Sequence, residues 1–180
     1  MTKALLLIDI QNDYFSGGKN ELFEPLKALD NALVALTAFR TANLPVIHVQ
    51  HISTQAGATF FIPNTHGAKI HDALAPQANE HIVIKQSPNS FFETNLNEII
   101  SENRISELIV CGMMTHMCVD TTVRAAKDYA IPVTLLADAC ATKDLSFNGR
   151  ILSADEINKV YFASLNNMFA KIILTNELCI

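Results

Sequence analysis

Apolar residues fall in six short, largely uninterrupted runs along the chain. Runs of this kind, apolar on both sides of the backbone, are typical of strands in a parallel sheet that is covered on both faces. The predicted strands are 4–10, 46–50, 81–84, 108–111, 133–137 and 171–175. Together they predict a sheet whose strands are mainly parallel.

Helical spacing and helix-start signals occur between these runs. Pro25 suits a first helical turn, and apolar residues from Leu26 to Phe39 then repeat at helical spacing to about residue 42. Two Ser-x-x-Glu patterns, at Ser90 and Ser153, are capping boxes that predict helices to about residues 103 and 168. Two further helices are predicted over 68–74 and 119–129.

The alternation of strands and helices predicts an α/β fold. We expect a three-layer α/β/α arrangement around a six-stranded, mainly parallel sheet with the Rossmann-like strand order 3-2-1-4-5-6. Because no linker or repeat interrupts the pattern, residues 1–180 are predicted to form a single domain. In such sheets, ligands bind beyond the carboxyl ends of the strands.

Composition narrows the class of partner. The chain is 49% hydrophobic and 17% charged, with a net charge of -5. It therefore lacks the basic surface that binds nucleic acid or an anionic membrane, and it has no apolar run of membrane-spanning length. Four cysteines without CxxC spacing indicate reduced thiols. We expect a cytoplasmic protein that binds a small-molecule substrate.

The most informative stretch is Gly112–Ala126, which contains Cys118. It follows a predicted strand and leads into a predicted helix, so Cys118 is expected in a first helical turn. The free N–H groups and partial positive charge of a helix start favour a thiolate. Two more polar residues, Asp9 and Lys85, lie at predicted strand ends. The pattern therefore predicts a cysteine nucleophile with an acid and a lysine beside it.

These three residues and their flanking motifs resemble the isochorismatase-like cysteine hydrolases. The opening strand with Asp-Ile-Gln-Asn-Asp-Tyr (9–14) is similar to the first motif of that family. Lys85, followed a few residues later by Ser-Phe-Phe (90–92), resembles its lysine segment. The stretch 112–126 resembles its nucleophile motif and is the most specific of the three. The resemblance covers nearly the whole chain.

The resemblance implies an enzyme that hydrolyses an amide or ureido C–N bond through a thioester on Cys118. Asp9 would act as base and acid, and Lys85 would give electrostatic support. The backbone N–H groups of Met114 and Cys118 would form the oxyanion hole, with a cis peptide between Met113 and Met114. No cofactor or metal is implied, and a homodimer or homotetramer is expected. The third strand is not adjacent to the first, so Lys85 must reach inward.

Three further residues are predicted to line the substrate pocket: Phe15, Phe60 and His116. Purely structural roles stay open for the three predicted catalytic residues. Cys118 alone would suit a buried small hydrophobe, Asp9 a loop cap, and Lys85 a solvated strand-end charge.

The histidines of the chain raise the possibility of a metal site. Nicotinamidases of the same family typically carry an Asp-x-His pattern for a metal, whereas this chain has His48-Val49-Gln50-His51 without that aspartate. The odd offset between His48 and His51 places them on opposite faces of a strand. His66 and His71 follow in the long irregular segment, so a metal site in this region is left open.

Two other functions also stay open. One is hydrolysis of a vinyl ether of the isochorismatase type, which requires an acid but no thiol nucleophile. The other is a non-catalytic binding protein on the same fold, since a fold alone does not fix function.

Overall fold

The computed structural model describes residues 2–180. Within that range the strands are β1 (Thr2–Ile8), β2 (Val46–His51), β3 (His81–Lys85), β4 (Ile105–Met113), β5 (Val133–Ala141), β6 (Leu145–Phe147), β7 (Arg150–Leu152) and β8 (Lys171–Ile173). The α-helices are α1 (Pro25–Thr41), α2 (Leu96–Glu102), α3 (Asp120–Asp128) and α4 (Ala154–Leu165).

The central sheet has the predicted topology. Its order is β3-β2-β1-β4-β5-β8, and every neighbouring pair is parallel. The sixth strand along the sheet is β8 because β6 and β7 form a separate antiparallel hairpin. The predicted order 3-2-1-4-5-6 is thus confirmed, with a hairpin inserted before the last strand.

Two hydrophobic cores cover the two faces of the sheet, as the apolar runs predict. Along β1, Leu5 and Leu7 pack on the face covered by α1, whereas Leu6 and Ile8 pack on the opposite face. That second face is covered by apolar residues of α2, α3 and α4. Both faces of the sheet are therefore covered by apolar side chains, and the three-layer α/β/α arrangement is confirmed.

The helix predicted from Ser90 starts later, at Leu96. The Ser90 hydroxyl is 2.8 Å from the hydroxyl of Thr122, and Glu93 has a φ of 53°. Glu93 therefore lies in the left-handed region, and the capping box cannot form. The box at Ser153 does form and starts α4. The segment 68–74 contains only a short 3-10 turn at Asp72–Leu74.

The helices were compared with the requirements of a membrane span. Among residues 2–180, none of the helices combines the length and the apolar character that a transmembrane span requires.

Candidate active site

Three strand ends bring the predicted catalytic residues together. Asp9 directly follows β1, Lys85 is the last residue of β3, and Cys118 lies in the turn after β4. Their exposed fractions are 0%, 1% and 6%. Because parallel strands end at the same edge of the sheet, residues far apart in sequence meet in one buried place.

Lys85 links the other two side chains. Its Nζ lies 2.8 Å from Asp9 Oδ2 and donates to Cys118 Sγ at 3.1 Å. β2 separates β3 from β1, so the lysine side chain crosses the end of β2 to reach Asp9. The strand order required Lys85 to reach inward, and in the structure its side chain does so.

The turn that carries Cys118 follows a close approach of two strands. Gly112 has a φ of 143°, and a Cβ there would lie 2.1 Å from the carbonyl oxygen of Ile8 on β1. Only glycine fits this backbone position. The Met113–Met114 peptide is cis, as expected. Residues Thr115–Val119 then form a π-helical turn that continues into α3.

Cys118 is more deeply protected than its place before a helix suggests. Burial raises the pKa of its thiol, the charge of Asp9 raises it further, and the ammonium of Lys85 lowers it in part. The sequence predicted a setting that favours the thiolate, but the free site favours the thiol. Burial outweighs the helix start and the lysine, so a base must remove the proton before sulfur can react.

Asp9 places a carboxylate next to this thiol. Its carboxylate is buried, and neither oxygen accepts a hydrogen bond from residues 2–180. The Lys85 ammonium forms an ion pair with Oδ2 of this carboxylate at 2.8 Å. Burial lowers the pKa of Lys85, but the charges of Asp9 and Cys118 outweigh it, and the net shift is upward. The lysine therefore stays an ammonium ion.

His51 is a site residue that the sequence did not predict as a partner of the lysine. Its Nδ1 lies 3.0 Å from Lys85 Nζ, and the two residues are paired in the register between β2 and β3. His48 points away and contacts Glu80 Oε2 at 2.9 Å, which confirms that the two histidines face opposite sides. The paired ends of β2 and β3 were the signal that could have placed His51 beside Lys85.

The predicted pocket residues lie among aromatic neighbours. The ring of Phe15 lies 4.4 Å from that of His71, and the ring of Phe60 lies 6.1 Å from that of Tyr14. Burial raises the pKa of Tyr14, and the charges of Cys118 and Asp9 raise it further, so Tyr14 lies near the site. Tyr14 was not predicted as a site residue.

His116 forms a hydrogen bond with the hydroxyl of Thr142, at the end of β5. Burial lowers its pKa, and Lys143 lowers it further. The ring is therefore neutral near pH 7. This side chain is held by the turn and by β5, while its role toward substrate stays a prediction.

In the region left open for a metal, two of the histidines already have hydrogen-bond partners. His48 pairs with Glu80, and the side chain of His71 accepts a hydrogen bond from its own loop. Donor atoms of Asp9, His51 and Cys118 do lie within 4.8 Å of one another. However, the Lys85 ammonium contacts all three residues, so a cation of the protein itself stands among these donors.

Comparisons with known proteins agree with this fold and geometry. The model of the isochorismatase domain family matches residues 3–177. An isochorismatase family protein of Bacillus subtilis, YddQ, is 46% identical over 175 residues, which is 97% of each chain. The nicotinamidase of Escherichia coli is 26% identical and aligns over 77% of this chain and 82% of its own.

Solved structures point the same way. The crystal structure of an isochorismatase from Pseudomonas putida superposes with a TM-score of 0.93 and 37% identity, over 98% of this chain and 90% of that one. Family model, sequence relatives and structure agree over nearly the full length. The chain therefore belongs to the isochorismatase family of hydrolases.

Proposed function

We propose that this enzyme hydrolyses the C–N bond of a small amide or ureido compound through a thioester on Cys118. The observation that carries the proposal is the buried thiol with two charged neighbours. One is a carboxylate, Asp9, whose oxygens accept no hydrogen bond within residues 2–180, and the other is the ammonium of Lys85, 3.1 Å from the sulfur. This arrangement supplies a nucleophile, a base and a countercharge.

In the first step, the thiol proton of Cys118 moves to the Asp9 carboxylate. The sulfur attacks the carbonyl carbon of the substrate, and the carbonyl electrons move onto oxygen. The Lys85 ammonium stabilises negative charge on sulfur before the new bond forms. The N–H groups of Met114 and Cys118 would bind the oxyanion, each contributing about 3 kcal/mol.

In the second step, the tetrahedral intermediate collapses and the C–N bond breaks. Asp9, now protonated, returns its proton to the departing nitrogen, and a neutral amine or ammonia leaves. Water then attacks the thioester while Asp9 accepts its proton. The acyl product leaves as an acid, and the proton on Asp9 restores the thiol. The cycle closes without a cofactor.

The burial of the site supports a small substrate. The three reacting side chains are almost fully enclosed, and aromatic rings of Tyr14, Phe60 and Phe61 pack next to one another beside them. A site of this kind accepts a compact, partly apolar molecule whose reactive carbonyl can reach the sulfur. The relative named nicotinamidase supports an amide among the possible substrates.

Vinyl-ether hydrolysis is the second candidate, because the relatives are named for isochorismatase. It needs an acid near the ether and no thiol. A carboxylate beside an ammonium suits acid–base work in either reaction, so the two candidates differ in their dependence on Cys118.

The test is a screen of small amides, ureido compounds and isochorismate with wild-type protein, Cys118→Ala, Asp9→Asn and Cys179→Ala. Cys179 is exposed and serves as the matched control. We expect amide turnover to fall by about a thousandfold or more in Cys118→Ala and to be unchanged in Cys179→Ala. Amide turnover that survives loss of Cys118 would end the thioester mechanism. Isochorismate turnover that needs Asp9 but not Cys118 would favour the second candidate.

A further inference from the structure

The Lys85 ammonium has more acceptors around it than it has protons. It donates hydrogen bonds to the carbonyl oxygen of Ser87 at 2.9 Å, to His51 Nδ1 at 3.0 Å and to Cys118 Sγ at 3.1 Å. Asp9 Oδ2 is closest of all, at 2.8 Å. An ammonium has three N–H bonds, so four neighbours cannot all be satisfied.

Asp9 is the neighbour left without a hydrogen bond. Its two oxygens are buried and unpaired within residues 2–180, although the positive charge lies beside them. Each hydrogen bond that a carboxylate oxygen accepts occupies a lone pair that could otherwise take up a proton. Directing the ammonium protons elsewhere therefore leaves the Asp9 oxygens open to the thiol proton.

We infer that His51 is a positioning residue, which anchors the Lys85 ammonium so that its third proton faces Cys118 and not Asp9. The inference rests on the proposed function, in which Asp9 removes the thiol proton. His51 and the carbonyl of Ser87 take two of the three protons. The remaining N–H points at the sulfur, where negative charge develops when the thiol loses its proton.

The surrounding structure holds His51 in place for this task. The Gln11 side chain accepts a hydrogen bond from the His51 backbone N–H at 2.8 Å and donates one to its carbonyl oxygen at 2.9 Å. The ring packs near Phe61, with a centroid distance of 5.9 Å. Because an ammonium only donates, Nδ1 must be the acceptor, and the proton of the neutral ring lies on Nε2.

The anchor works only while the imidazole is neutral. Three titratable groups face it: Lys85 from β3, Asp9 after β1 and Cys118 from the turn after β4. Burial lowers the pKa of His51, Lys85 lowers it further, and Asp9 opposes them. A protonated ring would lose its acceptor and would place a second positive charge 3.0 Å from the ammonium. Acid should therefore release Lys85 toward Asp9.

The test measures how fast iodoacetamide alkylates Cys118, because this reaction needs the thiol proton removed but no substrate. His51→Asn keeps an acceptor near the position of Nδ1 and cannot titrate, whereas His51→Leu has a similar size and no acceptor. The exposed His66→Leu is the matched control. Thermal unfolding checks that each variant is folded.

We expect alkylation at pH 7.5 to slow by about tenfold in His51→Leu, to recover in large part in His51→Asn, and to be unchanged in His66→Leu. As the pH is lowered from 7.5 through and below the usual histidine range, the rate of wild type relative to His51→Asn should fall, because only the wild-type ring gains a proton.

Two results would overturn the inference. One is an equal loss in the Asn and Leu variants, which would mean that the ring acts by packing alone. The other is a wild-type to His51→Asn ratio that does not change with pH, and this readout decides even if His51→Leu fails to fold. Failure of the proposed function is separate, since substrate turnover that survives in Cys118→Ala leaves the alkylation result intact.

Discussion

Asp9 is a buried carboxylate, and a buried charge is costly to desolvate. Its side chain is fully buried, its backbone φ is 51°, and its oxygens accept no hydrogen bond within residues 2–180. The attraction of Lys85 offsets that cost only in part, because desolvating two charges is expensive even when they pair. This pair is therefore better explained by a role in the reaction than by a contribution to stability.

Removing both charges should therefore stabilise the protein while abolishing its chemistry. Asp9→Asn suits the left-handed backbone, and Lys85→Met keeps the length of the side chain. We expect the double variant to gain about 1–3 kcal/mol in free energy of unfolding and to lose amide turnover. Urea denaturation measures the first and a hydrolase assay the second.

The single variant Lys85→Met is the control for this prediction. It leaves the Asp9 carboxylate buried without its countercharge, so it should be about 3 kcal/mol less stable than wild type at pH 7. A double variant that is no more stable than Lys85→Met would contradict the account of Asp9.

At the scale of single residues, the sequence predicted three residues that the structure brings together and missed the residues that contact them. Asp9, Lys85 and Cys118 stand in recognisable motifs at strand ends. His51 supports them through one ring nitrogen, and Ser87 through a backbone carbonyl. Those contacts depend on the register of β2 against β3 and on the path of the chain after β3. A local sequence pattern determines neither this register nor this chain path.

Among the elements, the start of β3 is tied to α1 and β2 through one buried carboxylate. Glu80 accepts two hydrogen bonds from Arg40, one from the backbone N–H of Gln77, and contacts His48 Nε2 at 2.9 Å. Burial opposes its charged form, but these donors prevail and lower the pKa of Glu80 to about 2. The Glu80 carboxylate therefore connects the start of β3, the edge strand that carries Lys85, to α1 and β2.

We expect Glu80→Gln to lower the free energy of unfolding by about 2 kcal/mol at pH 7. A depressed carboxylate pKa stabilises the fold above the unfolded value of 4.5, and this contribution is lost as pH falls from 4.5 toward 2. The difference between wild type and Glu80→Gln should thus shrink in acid. Urea denaturation at pH 7 and pH 3, with the exposed Glu21→Gln as control, measures it; an equal difference at both pH values would disprove the linkage.

Element prediction succeeded where periodicity and caps were strong and failed where side chains had better partners. The helix α1 and the capped α4 begin where expected, but Ser90 bonds to Thr122 and does not cap α2. The hairpin of β6 and β7 was missed although Asn148-Gly149 is a strong turn signal. Their φ angles of 50° and 75° are those that a tight hairpin turn requires.

For the whole molecule, self-association stays a prediction. Several large apolar side chains are well exposed, among them Phe147 at 71%, Ile151 at 70% and Val160 at 63%. Covering such side chains removes apolar surface from water and favours association. We expect light scattering after size-exclusion chromatography to give the mass of two or four 19.8 kDa chains. The mass of one chain at every concentration would contradict this.

Cellular placement is a separate prediction at the same scale. The free cysteines suit a reducing compartment, and cell fractionation tests the predicted cytoplasmic location.

The path of Lys85 across the end of β2 has a consequence for how such an enzyme can be altered. His51 contacts the Lys85 ammonium, and the same ammonium contacts the Asp9 carboxylate. In the proposed mechanism, a substitution there would change the ammonium that contacts Asp9, while Asp9, Cys118 and the turn around Cys118 keep their own residues. Laboratory evolution aimed at a different working pH should therefore begin at His51, on the strand next to the edge strand, and leave Asp9, Lys85 and Cys118 unchanged.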